Sequence, residues 1–584
     1  MQIFLLIKLL KTNGDLNLKL LYITVNLWIQ LYSMKLQRLF LCFVLISAAL
    51  IFFNQCTSAD ADGASIQVFR FNELGAVTSL DPALAGSFEN NWALNQLYNG
   101  LVEMDTSLAV KGCIARNWNI SDDGLQYVFQ LRTDVFFHDS PQFPAGKGRK
   151  VTANDFVYSF NRLFDKKISN ASTLVDGIAL EQGTGTPIIN ATNDSTLTIR
   201  LTKHFEPFLG MLTMKYFSVV PKEVVQFYKG DFGIRPIGTG PFQLKVWKDK
   251  ASLVLEKNTH YFKFDEKGIR LPYLDLIAVS FIKDPDAAFM QFMSGELDMI
   301  SGIDAINKEK VFEKDGQLKE SLRNQINLIS EPFLKTDYFG ILIDQNLDLV
   351  KNSPMRLKLI RQAINYAIDR DKIVRYRRFN LGTPASNGFI PPGMNAYDSK
   401  KIIGYHYDQD KARELLDKAG FPAGKGMMPI TITTTATYMD IAEDVANQLK
   451  SVGIKIEIDL MPPSAFKSAV ADSKLLIFRK SWICDYPDPE NFMSLFYSKN
   501  FSPAGVNYSH FTNSEFDRFY ERCLVEQNDS IRSELFLKMD QIIIEESPII
   551  PLYYDQIVRL VQKRVAGLLV DPTNTLNLEM VRVN

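Results

Sequence analysis

The chain has 584 residues. A single hydrophobic core rarely organises so many residues, so this length predicts two or three packed units. Apolar residues make up 46% and charged residues 22%, the balance of an ordinary soluble protein. The net charge of −1 argues against a nucleic-acid partner, which would need a basic face.

A targeting signal is predicted near the amino terminus. Lys35 and Arg38 give a basic front, residues 39–53 form an apolar run, and small polar residues follow Cys56. A run of this length is short for a membrane span and typical of a secretory signal peptide. The cysteine at the junction resembles a bacterial lipoprotein signal, so Cys56 is a predicted lipidation site, although the two residues before it differ from the small residues usual there.

The same segment has an alternative interpretation as a plain signal anchor with an incidental cysteine. In the preferred interpretation, residues 34–55 are a signal peptide, and residues 1–33 belong to a misassigned start upstream of Met34. The protein is then expected in the periplasm or cell envelope, where the lipid on Cys56 makes the membrane a partner.

The cysteines argue against a zinc or iron–sulfur site. They form neither a CxxC pair nor an even, closely spaced framework. We therefore expect no cofactor and no metal from the five cysteines, which are Cys42, Cys56, Cys113, Cys484 and Cys523.

In the amino-terminal half, turn signals separate strand and helix patterns. Residues 68–72 predict a short strand, with a turn after it at 80–82. Residues 127–132 alternate apolar and polar side chains, as a half-buried strand does. Thr152 precedes an apolar-periodic run to Leu163, which predicts an N-capped helix.

The carboxyl-terminal half alternates helix and strand patterns. Residues 355–374 carry apolar side chains at three- and four-residue spacings, which predicts one amphipathic helix. Further along, the pattern predicts a helix at 410–419, a strand at 430–435, a helix at 439–451 and a strand at 454–460. The last three form a β–α–β unit, whose strands must pair in parallel. The chain is therefore predicted to be α/β throughout.

A series of short segments carries a shared pattern in a fixed order. They are SLDP at 79–82, DG at 123–124, YVFQLR at 127–132, FHD at 137–139, VTANDFVYS at 151–159, GTGPF at 238–242, SGELD at 294–298, RQAINYAIDR at 361–370, IPPG at 390–393, ARELLDKAG at 412–420 and WICDYPDP at 482–489. Together they resemble the large peptide-binding proteins of ABC importers, typified by the dipeptide- and oligopeptide-binding proteins. Gly112, Ser140 and Ser481 depart from the family's pattern, and Ser481 lies beside the expected ligand site.

The resemblance implies a two-lobed fold of the periplasmic-binding-protein type II kind, in its large peptide-binding class, with a hinge that closes on the ligand. Family topology places an extra subdomain in the first lobe. The implied segments are 57–106, 216–335 and 556–584 for lobe I, 107–215 for the extra subdomain and 336–555 for lobe II.

Asp485 is the implied anchor for the α-amino group of a peptide, since a buried amine needs an acidic partner. The alternative is that Asp485 caps a helix beginning near Asp488 and Pro489. The neighbouring Trp482 lines the cleft or belongs to the core.

The resemblance also suggests partners for the rest of a peptide. The backbone groups of Ser481 and Trp482 are candidates for strand-like pairing with the ligand. Arg479 is either a partner for a ligand carboxylate or a surface arginine on an alternating strand. On the other lobe, the predicted cleft residues that follow the turn at 80–82 are Gly86, Ser87 and Phe88.

The sequence points to a binding protein and not to an enzyme. It has no HExxH, no GxSxG and no P-loop lysine motif, and its five histidines are scattered without ligand spacing. The expected function is to capture peptides as a monomer and deliver them to an ABC permease and its ATPase. The alternatives are a non-peptide solute such as a metal chelate, haem or sugar, a sensor or chaperone-like module without transport, and an exported hydrolase.

Overall fold

A computed structural model describes residues 66–169 and 171–584, so the predictions for residues 1–56 lie outside the described part of the chain. The strands, in chain order, are β1 (Val68–Asn72), β2 (Val102–Met104), β3 (Val110–Gly112), β4 (Ala115–Ile120), β5 (Gln126–Leu131), β6 (Ile189–Asn193), β7 (Thr196–Arg200), β8 (Phe242–Lys248), β9 (Ser252–Lys257), β10 (Leu276–Ser280), β11 (Met299–Ser301), β12 (Ile326–Ile341), β13 (Thr383–Pro384), β14 (Ile430–Thr434), β15 (Ile456–Leu460), β16 (Ile477–Ile483), β17 (Ile549–Gln562), β18 (Val565–Ala566) and β19 (Arg582–Val583).

The α-helices of the described part of the chain lie between these strands in the sequence. They are α1 (Phe88–Leu97), α2 (Ala153–Asn161), α3 (Phe208–Met211), α4 (Lys222–Tyr228), α5 (Pro285–Met293), α6 (Ala305–Val311), α7 (Asp348–Lys351), α8 (Lys358–Ala367), α9 (Arg370–Arg377), α10 (Gln409–Lys418), α11 (Met439–Lys450), α12 (Pro463–Ala471), α13 (Glu490–Met493), α14 (Ser514–Cys523) and α15 (Asp529–Glu546). None of the helices in the described part of the chain is long and apolar enough to span a membrane.

One mixed sheet of eleven strands organises the molecule. Its order is β15-β14-β16-β12-β17-β11-β1-β10-β9-β8, with β13 paired to β17 outside this path. The long strands β12 and β17 pair antiparallel along most of their length. They lie between β14–β16 on one side and β1 with β8–β11 on the other. The two groups of strands therefore meet through β12 and β17.

A second, four-stranded antiparallel sheet has the order β4-β5-β7-β6. Its strands fall inside the segment predicted as the extra subdomain, 107–215. Phe129 and Leu197 are fully buried in it and belong to the same apolar cluster as Phe69 of β1. This sheet therefore packs with the β1 side of the large sheet, while the lobe and subdomain boundaries stay a prediction.

Buried apolar side chains form separate clusters along the large sheet. One cluster contains residues of β1, β9 and β10 and reaches Leu576 near the carboxyl terminus. Another contains Ile432 of β14 and Ile477 of β16, and a third contains residues of β12 and of helices α13 to α15. The molecule thus has several cores, as its length suggests.

Several local predictions are confirmed. The strand at 68–72 is β1, and the β–α–β unit is β14, α11 and β15, with β14 and β15 parallel. Thr152 precedes α2, and the backbone N–H of Thr152 donates a hydrogen bond to the side chain of Asp155 at 2.8 Å. These elements depend on short-range patterns that tertiary packing does not override.

The single helix predicted over 355–374 is wrong. Helix α8 ends at Ala367 and α9 begins at Arg370, because Asp369 caps the second helix by accepting from the Lys372 N–H at 2.9 Å. Ile368 between them is extended and fully buried. Its side chain keeps the apolar spacing intact across the break, so the pattern alone could not show that the helix ends.

Candidate functional site

A cavity of about 260 Å³ brings together residues from distant parts of the sequence. Among the residues that line it are Gly86, Ser87, Phe88, Cys484 and Asp485. Four of the predicted site residues therefore share one cavity, which we call the Asp485 cavity. Their roles in ligand binding stay predictions.

The start of helix α1 positions one wall of this cavity. The preceding turn is fixed by an ion pair between Asp81 and Arg162, whose side chains are both buried and 2.6 Å apart. Ser87 caps α1, because its Oγ accepts from the Asn90 N–H at 3.2 Å. The Phe88 ring packs near Trp92, and Gly86 is exposed. The wall therefore offers an exposed glycine backbone, a hydroxyl and an aromatic ring.

Asp485 provides the carboxylate of the cavity. It follows the end of β16, and its side chain is exposed to the cavity. Asn491 Nδ2 donates to its Oδ2 at 3.3 Å, and no described Lys, Arg or His side chain forms an ion pair with it. The protein packed around the cavity raises the pKa of this carboxyl above its usual value by burial. A carboxylate without a cation, facing open space, is suited to bind an amine.

The alternative role of Asp485 as a helix cap is wrong. Helix α13 begins at Glu490, and Asp488 Oδ1 accepts from the Glu490 N–H at 2.9 Å. Arg532 binds the same Asp488 carboxylate through two hydrogen bonds of 2.6 and 2.7 Å. Asp488 therefore accepts from the first N–H of the helix, and Asp485 accepts from none of its backbone N–H groups.

Trp482 does not line the Asp485 cavity but is connected to it through Asn491. The indole Nε1 of Trp482 donates to Asn491 Oδ1 at 2.9 Å, and the Asp485 backbone N–H donates to the same oxygen at 3.1 Å. The Trp482 ring is half-buried and packs against the cluster formed by α13 to α15. Trp482 thus orients Asn491 by a hydrogen bond, and Asn491 in turn orients Asp485.

Strand β16 leaves part of one edge unpaired. Strand β12 pairs with its whole length, whereas β14 pairs with it only at Ile477 and Phe478. Residues 479–483, which include Ser481, therefore have no strand partner on the β14 side among the described residues. Alternate residues of such a stretch direct backbone N–H and C=O groups outward, where an extended peptide can pair with them.

Arg479 is buried, so the alternative of a surface arginine is wrong. Its guanidinium is hydrogen-bonded to Asp337 and lies over the Tyr438 ring, 4.1 Å from the centroid. Its predicted role with a ligand carboxylate stays a prediction.

Arg479 belongs to a group of charges on β12, β16, β17 and the end of α9. Lys335 Nζ lies 2.7 Å from Asp555 Oδ2 and 3.2 Å from Asp337 Oδ2, and Arg378 also pairs with Asp555. We call this group the central charge cluster, and its members are Lys335, Asp337, Arg378, Arg479 and Asp555.

A second cavity, of about 490 Å³, borders the central charge cluster. Arg378, Tyr438 and Tyr553 line it together with Lys308. Burial lowers the pKa of Lys308 to about 8, with Arg378 as a further cause. Three acids, Asp286, Asp304 and Asp440, line the same cavity, so charges of both signs meet there.

A third space, which we call the side chamber, adjoins the Asp485 cavity and has a volume of about 360 Å³. The two share Met104, Thr213, Lys215 and Thr575 as lining residues. Sequence reasoning missed Lys215 because a lone lysine follows no pattern. It also missed residues 573–575, which line the Asp485 cavity, although the predicted return of 556–584 to lobe I was a signal that this segment lies near the cleft.

The chain matches the family model described as bacterial extracellular solute-binding proteins, family 5 Middle, over residues 109–503. It is 27% identical over 510 residues to the dipeptide-binding protein of Escherichia coli strain K12, covering 83% of this chain and 89% of the relative. It is 25% identical over 540 residues to the dipeptide-binding protein DppE of Bacillus subtilis strain 168, covering 89% and 92%.

A solved structure of the periplasmic binding protein DppA of Helicobacter pylori, in complex with the peptide STSA, superposes with a TM-score of 0.72. That protein is 25% identical to this chain, and the match covers 88% of this chain and 98% of the other. The oligopeptide-binding protein AppA of Bacillus subtilis, solved with a nonapeptide, has a TM-score of 0.71 at 22% identity and supports the fold alone.

Proposed function

We propose that this chain, which belongs to the bacterial extracellular solute-binding proteins of family 5, captures peptides between Asp485 and the Gly86–Phe88 wall. It then delivers them to an ABC permease and its ATPase. It acts by binding and release, without chemical change to the peptide. Relatives named as dipeptide-binding proteins and a neighbour bound to a peptide support this function.

The single observation that carries the proposal is that the carboxylate of Asp485, at the end of a strand with an open edge, has no cationic partner among the described residues. The carboxylate is suited to the α-amino group of a peptide, and the β16 edge is suited to its backbone. Backbone pairing provides affinity without demanding particular side chains. A free amino terminus is therefore the feature that the site recognises.

The first test compares peptides with free and N-acetylated amino termini by calorimetry on the purified full chain. Acetylation removes the positive charge but keeps the peptide backbone and side chains. We expect the free peptide to bind at least about tenfold more tightly, because a charge-assisted hydrogen bond contributes more than about 1.4 kcal/mol. Equal affinities would contradict the role of Asp485.

A second test identifies the natural ligand by mass spectrometry of whatever co-purifies with the protein. Recovery of peptides supports the proposal. Recovery of only a metal chelate, haem or sugar would replace peptides with another solute. A chain that binds peptides but has no permease partner would act as a sensor or chaperone-like module.

The proposed capture requires the two predicted lobes to close on the ligand. A cleft between rigid lobes can bury a ligand only by a hinge movement, and β12 and β17 are the strands that connect the two parts of the sheet. Small-angle scattering should show a smaller radius of gyration at saturating ligand. An unchanged radius at demonstrated saturation would count against closure.

We further propose that residues 34–55 direct export and that Cys56 carries a lipid, which anchors the protein in the cell envelope. The basic front, the apolar run and the junction cysteine support this. Intact-mass analysis of membrane-extracted protein checks both points. An unmodified chain cut at another residue would remove the lipid and leave export in place.

A further inference from the structure

The side chamber extends the Asp485 cavity into the part of the molecule built around β1. The residues that line it fall within segments 95–111, 213–215, 241–263 and 567–580, all outside the predicted lobe II. Several walls are polar, including Asn95, Asn99 and Thr575. The space therefore suits a polar group attached to a ligand whose main part lies in the Asp485 cavity.

Lys215 stands where the two spaces meet. Among the described residues that line the Asp485 cavity, Asp485 and Lys215 are the two that carry charge. Lys215 is half-buried, and its ammonium makes no hydrogen bond or ion pair with any described residue. Burial lowers the pKa of this ammonium below its usual value. A half-buried cation without a partner costs free energy, which an incoming anion would recover.

The nearest acids of the side chamber already have partners. Lys263 Nζ lies 2.7 Å from Glu103 Oε2 and 3.4 Å from Glu579 Oε1, and the Tyr261 hydroxyl donates to Glu579 at 3.1 Å. Glu103 and Glu579 therefore act on Lys215 only through space. Two glutamates share the single charge of Lys263, which leaves an excess of negative charge. The alternative role of Lys215 is to balance this excess at a distance, with no part in binding.

We infer that Lys215 binds a carboxylate on the amino-terminal residue of the ligand, so that the site prefers peptides that begin with Asp or Glu. This rests on the proposed function, because Asp485 must hold the α-amino group of the same residue. An ammonium at Asp485 and a carboxylate at Lys215 would neutralise both charges of the cavity. The acidic side chain would then point towards the side chamber.

The test uses calorimetry on the purified full chain with the peptides Glu-Ala-Ala and Gln-Ala-Ala, which differ by one charge at nearly equal size. We expect the Glu peptide to bind about tenfold or more tightly, as for a charge-assisted hydrogen bond. Lys215→Met should bring the ratio to within about twofold by weakening the Glu peptide alone. The matched control Lys222→Met removes an exposed charge of α4 and should keep the native ratio.

A ratio near one in the native protein overturns the inference, and so does a tenfold ratio that persists in Lys215→Met. Equal weakening of both peptides in that variant would show the distant balancing role instead. A preference seen only between Ala-Glu-Ala and Ala-Gln-Ala would overturn the placement on the first residue.

If Lys215→Met does not fold, a native ratio near one still overturns the inference, and Lys215→Arg should retain the preference because it keeps the charge. Failure of the native protein to bind any peptide would defeat the proposed function and the inference with it. Binding without a Glu preference would defeat the inference alone.

Discussion

Asp485 follows the end of β16, and the central charge cluster includes Arg479 of the same strand, yet the acids of the two sites have different partners. In the cluster, Asp337 is fully buried, and Asp555 is nearly so, and Lys335 contacts both carboxylates. Asp485 is exposed to a cavity, has a single amide partner and has no cation among the described residues.

The pKa shifts follow the same contrast. Burial alone would raise the pKa of Asp555, but Lys335 and Arg378 outweigh it and hold that pKa well below its usual range. The cavity walls remove water from the Asp485 carboxylate and raise its pKa, and no cation of the described residues opposes this. The cluster acids therefore stabilise the junction of β12, β16 and β17, whereas the charge of Asp485 is left for a partner from outside.

The largest effect that this comparison predicts is a loss of stability on breaking the cluster. Asp555→Ala would remove the partner that the partly buried Lys335 and Arg378 share and leave Lys335 with Asp337 alone, which should cost about 3 kcal/mol, the lower end for a broken buried pair. Asp485→Ala removes an exposed carboxylate and should change the free energy of unfolding by about 0.5 kcal/mol or less. Urea unfolding of both variants measures this difference. Equal losses in the two variants would remove the contrast between the two acids.

The next effect concerns peptide affinity. Here the change at Asp485 should have the larger effect, the reverse of the order expected for stability. If Asp485 holds the α-amino group of a peptide, Asp485→Ala leaves that ammonium unpaired in the closed complex. Affinity should fall by about a hundredfold or more, which corresponds to about 3 kcal/mol. Asp485→Asn should lose less, because the amide oxygen still accepts a hydrogen bond. Calorimetry with one free-amine peptide measures the series.

An N-acetylated peptide supplies the control for this affinity loss. Because it has no charge to pair with Asp485, its affinity should be the same for the native protein and for Asp485→Ala, within about twofold. A fall of the same size for both peptides would mean that the variant distorts the cavity and that Asp485 does not contact the amine.

A smaller and graded effect is expected from pH. The ligand ammonium binds the ionised form of Asp485, whose pKa in the free protein is raised above the ordinary value of 3.8. Affinity should therefore be lost as pH falls through that raised pKa, by about tenfold per pH unit below it. Asp485→Asn should show no such dependence in the same window. A native affinity that stays constant down to pH 4 would contradict the raised pKa or the ionic contact.

Part of the fold and part of the candidate site could be predicted from the sequence, because some of their causes are local. The parallel pair β14 and β15 follows from helix and strand periods within about thirty residues. The family resemblance brought Asp485 and the Gly86–Phe88 segment to the same predicted cleft. The break between α8 and α9 could not be predicted, since Ile368 keeps the apolar spacing while Asp369 ends the helix.

The partners of charged residues were the least predictable feature. Arg479 pairs with Asp337 on β12, a contact set by strand register and by no local pattern. Lys215 meets the Asp485 cavity through the packing of segments that are remote from it in the sequence. In both cases the sequence shows the charge but not its neighbour, and the neighbour decides whether the charge stabilises the fold or faces a ligand.

The smallest effect that we predict tests whether Trp482 only orients Asp485 through Asn491 or contacts the ligand itself. Trp482→Phe keeps an aromatic ring but removes the hydrogen bond from Nε1 to Asn491, so the free energy of unfolding should fall by about 1 kcal/mol. Asn491 would still contact Asp485 through two hydrogen bonds, so peptide affinity should fall by no more than about threefold. Urea unfolding and calorimetry on the same variant measure both quantities.

Trp247 offers a matched control for that variant, because its Nε1 is buried without a hydrogen-bond partner among the described residues. Trp247→Phe therefore removes an unsatisfied donor, and the free energy of unfolding should stay unchanged or rise slightly. Trp247 lies on β8, away from β16, so peptide affinity should not change. If Trp482→Phe weakened peptides more than about tenfold, Trp482 would have to contact the ligand itself. The contrast with Trp247 assigns the stability loss to the Asn491 hydrogen bond, because both changes remove the same part of the indole ring.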